Sequence, residues 1–359
     1  MEEADVVIVG AGVAGLATAV ALKRLGVRAL VLEKAEGLRT TGSALGLSPN
    51  AWFALDALGK AHKLTTAYAP CRKGYVTDIQ TGAIQEISFA KFETGGHFVR
   101  LVHRKLYWKL WQKNCQLAPF VSLPSSSPSE TRHKKAHAVL SFIWMMELVY
   151  TAKESVTYSS GIFIVIPGED IAHDPELIKR EVTDNFAKEF PRLYLKVVQH
   201  SDLSSITWSR LMFRLPWDII FGNLSNGNVT VAGDAMHPMR PDMGQGGCSA
   251  LEDAVVLGRH IGESIIRNGR LVAGDQMADA LKRYAEERRW RAAGLITGSY
   301  LSGWVQQEGS GWFTKFLRDV LFYRLLYSVI FGARRFDCGK LPCVSSNNPE
   351  LENNQSKIE

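Results

Sequence analysis

Up to Glu33 the apolar positions fall into three groups. Val6-Val7-Ile8-Val9 is a short continuous run, Val13 to Leu25 repeats its apolar positions at helical spacing, and Ala29-Leu30-Val31-Leu32 is continuous again. Two buried-strand runs bridged by a helical one predict a parallel βαβ unit. Far downstream, Asn228-Val-Thr-Val-Ala232 is another short strand, and a helical pattern follows from Cys248 to Ile265 that carries Glu252 and Asp253. Between the two regions the pattern is weaker. It predicts strands within 74–100, a strand at Phe163-Ile-Val-Ile166, a helix from Pro175 to Phe190 and an element at Leu215-Pro216-Trp217. Asp279 to Arg291 and Phe313 to Phe331 are expected to be helices, packed within the chain or against a partner.

The turn between the first strand and its helix is Gly10-Ala11-Gly12-Val13-Ala14-Gly15, a GxGxxG. Gly10 permits the tight turn, Gly12 removes a side chain where a pyrophosphate approaches the backbone, and Gly15 lets the helix pack close to the strand. The helix N-terminus then faces the phosphates. Glu33, at the end of the second strand, is placed to accept hydrogen bonds from a ribose diol. With Val13, Ala14 and Lys34 these residues form the first part of a candidate dinucleotide site. The strand at Ala232 runs into a second glycine-rich stretch, Gly233-Asp234-Ala-Met-His-Pro-Met-Arg-Pro241-Asp-Met-Gly244-Gln245-Gly246-Gly247. An Asp at a strand end followed by a glycine cluster makes a second backbone nest beside the first.

The early GxGxxG-Glu and the late GD…P..GQGG together resemble the FAD-dependent monooxygenases of the hydroxybenzoate-hydroxylase fold (group A flavin monooxygenases). The likeness is greatest to their plant salicylate-hydroxylase-like and zeaxanthin-epoxidase-like members. It implies that the GxGxxG holds the ADP half of FAD. Asp234 would bind a hydroxyl of the ribityl chain, and Pro241, Gly244, Gln245, Gly246 and Gly247 would run beneath the isoalloxazine ring. Backbone N–H groups around Gly246 and Gly247 would then stabilise negative charge on the reduced ring. Arg39, in a loop resembling the family's, would stand near the FAD phosphates, and Arg104, in His103-Arg104-Lys105-Leu106, would contact the cofactor. Many relatives carry Asn just after the glycine run, where this chain has Cys248. His237 is open to two readings, an acid–base group beside the ring or a capping and packing histidine. No catalytic side chain is assigned.

The family's third motif, a strand ending in Asp-Gly followed by Ser and Arg, is not found. From Lys113 the chain instead runs through a Ser/Pro cluster without periodicity, which predicts loop or disorder. Trp and Met have single codons, so Ile143-Trp144-Met145-Met146-Glu147 fixes most of the underlying bases. Read two bases on, it permits Leu (or Met)-Asp-Asp-Gly, resembling the family's hairpin strand. Lys113 to Phe120, shifted in the same way, permits Glu-Leu-Pro-Thr-Gly-Thr-Ile-Arg, which resembles the family sequence just after its arginine helix. The stretch is therefore expected to be a frameshifted exon or faulty gene model, with a genuine insert as the alternative.

The resulting fold class is α/β with α+β elements: a Rossmann-like FAD-binding domain, a partly deleted substrate-domain sheet and C-terminal helices. The division expected is FAD-binding residues 1–72, substrate-domain strands 73–100, an FAD-contacting helix 101–112 and the anomalous segment 113–155. Then follow the residual substrate domain 156–220, the second FAD-binding part 221–300, C-terminal helices 301–344 and a disordered tail 345–359.

Composition adds mainly exclusions. Hydrophobic residues make up 46% and charged residues 22%, as in a folded globular chain. Lys plus Arg number 42 against 36 Asp plus Glu, a net +6 without any Lys/Arg block, so no nucleic-acid partner is expected. The five cysteines are scattered and form no CxxC, so neither a disulfide framework nor a zinc site is implied, and a reducing compartment is expected. His133 and His137 are four apart with no cysteine close by, and no metal site is assigned. The strand begins at once, which leaves no room for a signal or transit peptide and points to the cytoplasm. Val320 to Phe331 is apolar but interrupted by Arg324. It is expected to form an amphipathic helix that packs on the protein or touches a membrane surface, not a span.

The function the resemblance implies is monooxygenation. NAD(P)H, as transient co-substrate, reduces FAD, oxygen adds at the flavin C4a carbon, and the hydroperoxide passes one oxygen atom to an aromatic or alkene small molecule. The alternatives are a catalytically dead flavoprotein-fold remnant serving as a binding or regulatory isoform, and a flavin oxidase or reductase without hydroxylation. Substrate identity and oligomeric state are left open.

Overall fold

A computed structural model of the chain describes residues 4–35, 44–77, 84–103, 111, 144–152, 155–163, 174–186, 192–203, 206, 213–269, 271, 274–307 and 332–344. Strand β1 (Val6–Val9) pairs in parallel with β2 (Ala29–Leu32), in register from Val6↔Ala29 to Val9↔Leu32. Helix α1 (Val13–Arg24) makes the crossover, capped at its start by the extended backbone of Gly12 and followed by Gly26 at φ +74°. This is the predicted βαβ unit. The other face of β1 is open: Val7 and Val9 are 55% and 73% exposed. Parallel strands are normally covered on both faces.

After the first unit, β3 (Ala44–Leu47) pairs antiparallel with β6 (Arg100–His103) and leads directly into α2 (Pro49–Ala57). Ser48 stands at the α2 N-cap and Pro49 in its first turn, where a missing N–H costs nothing. Trp52 of α2 is fully buried and donates its indole N–H to the Leu47 carbonyl at 3.1 Å. The short α3 (Ala61–Thr65) follows. Two hairpins come next: β4 (Lys73–Thr77) with β5 (Ile84–Ser88), and β7 (Trp144–Ala152) with β8 (Ser155–Phe163), the latter in register from Trp144↔Phe163 to Ala152↔Ser155.

Helices α4 (Pro175–Glu181), α5 (Arg192–Gln199) and α6 (Pro216–Ile220) precede a small hairpin of β9 (Ser225–Asn226) and β10 (Val229–Thr230). Here the structure departs from the sequence pattern. Asn228 to Ala232 does not form a continuous strand: only Val229 and Thr230 pair, and they turn back on Asn226 and Ser225. The cause is local. Gly227 adopts φ +53°, which a two-residue hairpin turn requires. The helix predicted from Pro175 to Phe190 is α4 continued by a π-helical turn, Val182–Phe186, and residues 187–190 lie outside the described residues. Ile164 to Ile166 and the helix predicted at Phe313 to Phe331 also lie outside them.

Two long helices close the fold. Helix α7 (Gly246–Asn268) is buried along most of its length and packs on α1, α2 and α8 (Asp275–Gln307). The last of these runs well past the predicted Asp279–Arg291, since no Pro interrupts its pattern before Gln307 and its glycines, Gly294, Gly298 and Gly303, are isolated ones that a helix tolerates. Gly258 and Gly262, one turn apart on α7, cut a notch. Methyl groups there would come within 2.9 Å of Ala21 Cβ on α1 and 2.8 Å of Leu25 Cδ2 at its C-cap. The same notch receives Leu341 and Pro342 of the C-terminal segment 332–344, which lies across the helices like a strap. Among the described residues no helix is long and apolar enough to cross a membrane.

Candidate functional site

The first glycine turn is held by β2 on one side and by α1 on the other. Gly10, at φ +101°, donates its N–H to the Leu32 carbonyl at 2.7 Å. Ala11 donates to Glu33 Oε2 at 2.8 Å, and Ala35 to Glu33 Oε1 at 3.0 Å, so Glu33 ties the end of β2 to the turn. Gly15 sits so close to the turn that a methyl there would stand 2.0 Å from the Gly10 carbonyl oxygen. At Gly12 the opposite holds: an added methyl meets no atom within 4 Å. No side chain caps the α1 N-terminus. Unsatisfied N–H groups at a helix start, beside a glycine with open space before it, fit a phosphate group.

The second turn meets the first. Gly233, at φ +60°, is packed so tightly that a methyl there would come within 2.8 Å of Ala14 Cβ. The Gly-Asp turn therefore rests on the first turn of α1, although more than 200 residues separate them. Asp234 is exposed within a short 3-10 turn, Gly233–Ala235. A second 3-10 turn, Pro241–Met243, ends at Gly244, in the left-handed region at φ +62°, and α7 then starts at Gly246. A methyl at Gly246 would meet no atom within 4 Å, and one at Gly247 would only touch Leu45 Cδ2 at 3.8 Å. The N-termini of α1 and α7 thus both open onto glycine backbone that a flat cofactor can approach.

Gln245 turns its side chain into the protein. Its side chain is fully buried, accepting from Asn50 Nδ2 at 2.9 Å and donating to Ser48 Oγ at 3.3 Å. Only its backbone is left to meet a cofactor. Cys248 is buried beneath the same turn, its thiol near the carbonyls of Gly46 and Gly244, and burial pushes its pKa up to about 11. Lys34 is exposed, and Val13 and Ala14 are half-buried in the first turn of α1. Arg39 and Arg104 lie outside the described residues.

Behind both turns stands a buried ionic cluster that the linear pattern did not announce. Glu252, Asp253 and Arg288 are each fully buried. Arg288 donates Nε to Asp253 Oδ1 at 2.6 Å and Nη1 to Glu252 Oε2 at 2.7 Å. Arg291 adds Nη2 to Glu252 Oε1 at 2.7 Å, where Asn50 Nδ2 also donates at 2.6 Å. Asp253 Oδ2 accepts from the Gly233 N–H at 2.7 Å and lies 2.6 Å from His237 Nε2. The one available signal was the pair Glu252-Asp253 inside an otherwise apolar stretch of α7.

Burial alone would raise both carboxyl pKa values, but Arg288 and Arg291 beside Glu252, and His237 and Arg288 beside Asp253, reverse the effect and hold both below the ordinary range. Depressed folded-state pKa values stabilise the fold above the unfolded value of about 4. That stability is lost as pH falls through this value toward the folded one. The thermal midpoint of the chain is therefore expected to fall steadily below about pH 5; a midpoint level from pH 6 to pH 3 would contradict it.

Comparison with known proteins places these features in a family. The family model described as an FAD binding domain matches residues 3–101 and 155–299. Monooxygenase 2 of Arabidopsis thaliana is 31% identical, covering 94% of this chain and 98% of the relative. That alignment runs over 403 positions, more than this chain's 359 residues, so the relative carries positions that this chain lacks. The chloroplastic zeaxanthin epoxidase of Arabidopsis thaliana is 42% identical over 67 residues, 19% of this chain and 10% of that protein. Among solved structures, Klebsiella pneumoniae HpxO complexed with FAD and uric acid has the same fold. It is 18% identical, with a TM-score of 0.64 over 92% of this chain and 96% of that one.

Proposed function

The chain belongs to the FAD-dependent monooxygenases of the hydroxybenzoate-hydroxylase fold, and from that premise we propose that it takes electrons from NAD(P)H and places one oxygen atom on an aromatic or alkene small molecule. The observation that carries the reading is the contact of the two glycine turns, Gly233 on Ala14, which joins a phosphate-binding helix start to a second helix start at Gly246. Bound FAD supplies hydride acceptance and oxygen activation. The protein supplies the surroundings. The α1 N-terminus and the bare backbone of Gly12 would hold the pyrophosphate, and Asp234 would accept a hydrogen bond from a cofactor hydroxyl. The N–H groups at the start of α7 would offset negative charge on the ring of bound FAD.

The test is an absorption titration of the purified chain with FAD near 450 nm. Gly12→Ala is expected to leave the FAD-free fold intact, since its methyl meets nothing in the protein, and to weaken FAD binding about tenfold or more because that methyl occupies the pyrophosphate approach. Asp234→Ala is expected to weaken it by a similar amount. Either variant staying as yellow as the parent would remove that residue from the site.

A second reading, a flavin-binding remnant without turnover, draws on a specific observation. The family match breaks between 101 and 155, the alignment with Monooxygenase 2 is longer than this chain, and Val7 and Val9 stand uncovered on β1. An FAD-loaded chain that consumes no NAD(P)H with any aromatic candidate would favour the remnant. Consumption that substrate does not accelerate would favour an oxidase or reductase.

A further inference from the structure

We infer that Asp253 is the residue that positions the Gly233–Asp234 turn for the cofactor, by gripping that turn at its start and just past its end with a single carboxylate oxygen. The inference rests on the reading of Asp234 as an FAD ligand and adds what makes that ligand rigid. Asp253 Oδ2 accepts the Gly233 N–H at 2.7 Å and stands 2.6 Å from His237 Nε2, so the first residue of the turn and the histidine just past its end converge on one atom. Facing an ionised carboxylate, Nε2 of His237 is the protonated, donating nitrogen. Inside the turn, the Gly233 carbonyl accepts from the N–H groups of Met236 and His237, both at 2.9 Å. Asp234 projects from this closed loop and is itself exposed. The other oxygen of Asp253 is taken by Arg288 Nε at 2.6 Å, which fixes the carboxylate in place from α8. Ser249 Oγ, 3.3 Å from His237 Nε2 and 2.9 Å from Arg288 Nη2, completes the enclosure.

The demand on residue 253 is specific: both oxygens must accept. Asn cannot satisfy it. In one orientation its NH2 faces the Gly233 N–H and the His237 ring, and in the other it faces Arg288, so a donor opposes a donor either way. Gly233 has no room to adjust, being pressed against Ala14 in the left-handed region. An unclamped turn would leave Asp234 free to wander, and the cofactor would have to order it on binding.

The experiment is a fluorescence-quenching titration of FAD into the full chain and its Asp253→Asn, Asp234→Ala, double, His237→Ala and His237→Gln variants, with the FAD-free thermal midpoint of each. Asp253→Asn is expected to weaken FAD at least about tenfold. In the Asp234→Ala background the same change is expected to add no more than about twofold, because its effect is transmitted through Asp234. His237→Ala is expected to lose about tenfold, whereas His237→Gln, whose amide can donate to the same oxygen, recovers most of it. Parental affinity in Asp253→Asn, or losses that multiply in the double variant, would overturn the inference. Should Asp253→Asn not fold, the His237 pair decides: equal losses in Ala and Gln would overturn it. Parental affinity in Asp234→Ala is a different failure, since it removes Asp234 from the site and the premise with it.

Discussion

Arg288→Met is expected to destabilise the FAD-free chain by about 3–5 kcal/mol, a large part of the 5–15 kcal/mol typical of a folded domain. Arg288 is the only cation that touches both Asp253 and Glu252 among the described residues, and all three are fully buried. Arg291 stays with Glu252 when Arg288 is removed, so the oxygen that loses its cation is Oδ1 of Asp253, while Oδ2 keeps the Gly233 N–H and His237. A stranded buried charge is far costlier than a missing pair. A urea titration followed by circular dichroism measures the loss. A midpoint shift equivalent to under about 0.5 kcal/mol would show that the cluster is not under the strain its burial implies. Asp253→Leu made together with Arg288→Met removes both charges, and is expected to recover part of the lost stability.

Gly15→Ala is expected to be the most damaging glycine change in the first turn, weakening both the fold and FAD binding. The new methyl would stand 2.0 Å from the Gly10 carbonyl oxygen and 3.3 Å from Ile8 Cγ2. The first of these is a backbone atom that cannot swing aside, so α1 must lift from β1. Overpacking of this kind costs about 1–3 kcal/mol, and the lifted helix carries its N-terminal N–H groups away from the phosphates. Gly12→Ala is the control, because it adds the same methyl where the protein has no atom within 4 Å. The FAD-free thermal midpoint should fall for Gly15→Ala and hold for Gly12→Ala. Equal midpoints would mean that α1 tolerates the displacement.

What the chain discloses in one dimension follows from how local each demand is. The demand of Gly10 for a left-handed turn and that of Gly15 for close approach concern neighbours only five residues apart, so the GxGxxG could be interpreted residue by residue. The same holds for α7, whose start at Gly246 follows the left-handed Gly244. Asn228 to Ala232 misled for a related reason. Its β-branched run signals a strand, but the Gly227 turn consumes the first residues and leaves only Val229 and Thr230 to pair. The ionic cluster was hidden because its partners are 35 to 39 residues apart on two helices, and nothing near Arg288 or Arg291 tells which arginines turn inward. Gln245 was visible as a residue of the glycine run, but its inward side chain depends on Asn50 and Ser48, nearly 200 positions earlier.

The strap at 332–344 has a consequence for how the chain is made. Leu341 and Pro342 fill the notch at Gly258 and Gly262, Asn50 donates its N–H to the Arg334 carbonyl at 3.0 Å, and Arg334 reaches the Met243 carbonyl at 3.2 Å. The first βαβ unit leaves the ribosome well before α7 and the strap that cover α1. At about 5–20 residues per second, the apolar face of α1 waits on the order of tens of seconds for its cover. Such long-range closure slows folding and prolongs exposure to aggregation. A nascent chain halted before Gly332 would carry every glycine of the cofactor cradle and still lack the piece that locks it, so chaperone demand should persist until the strap has emerged.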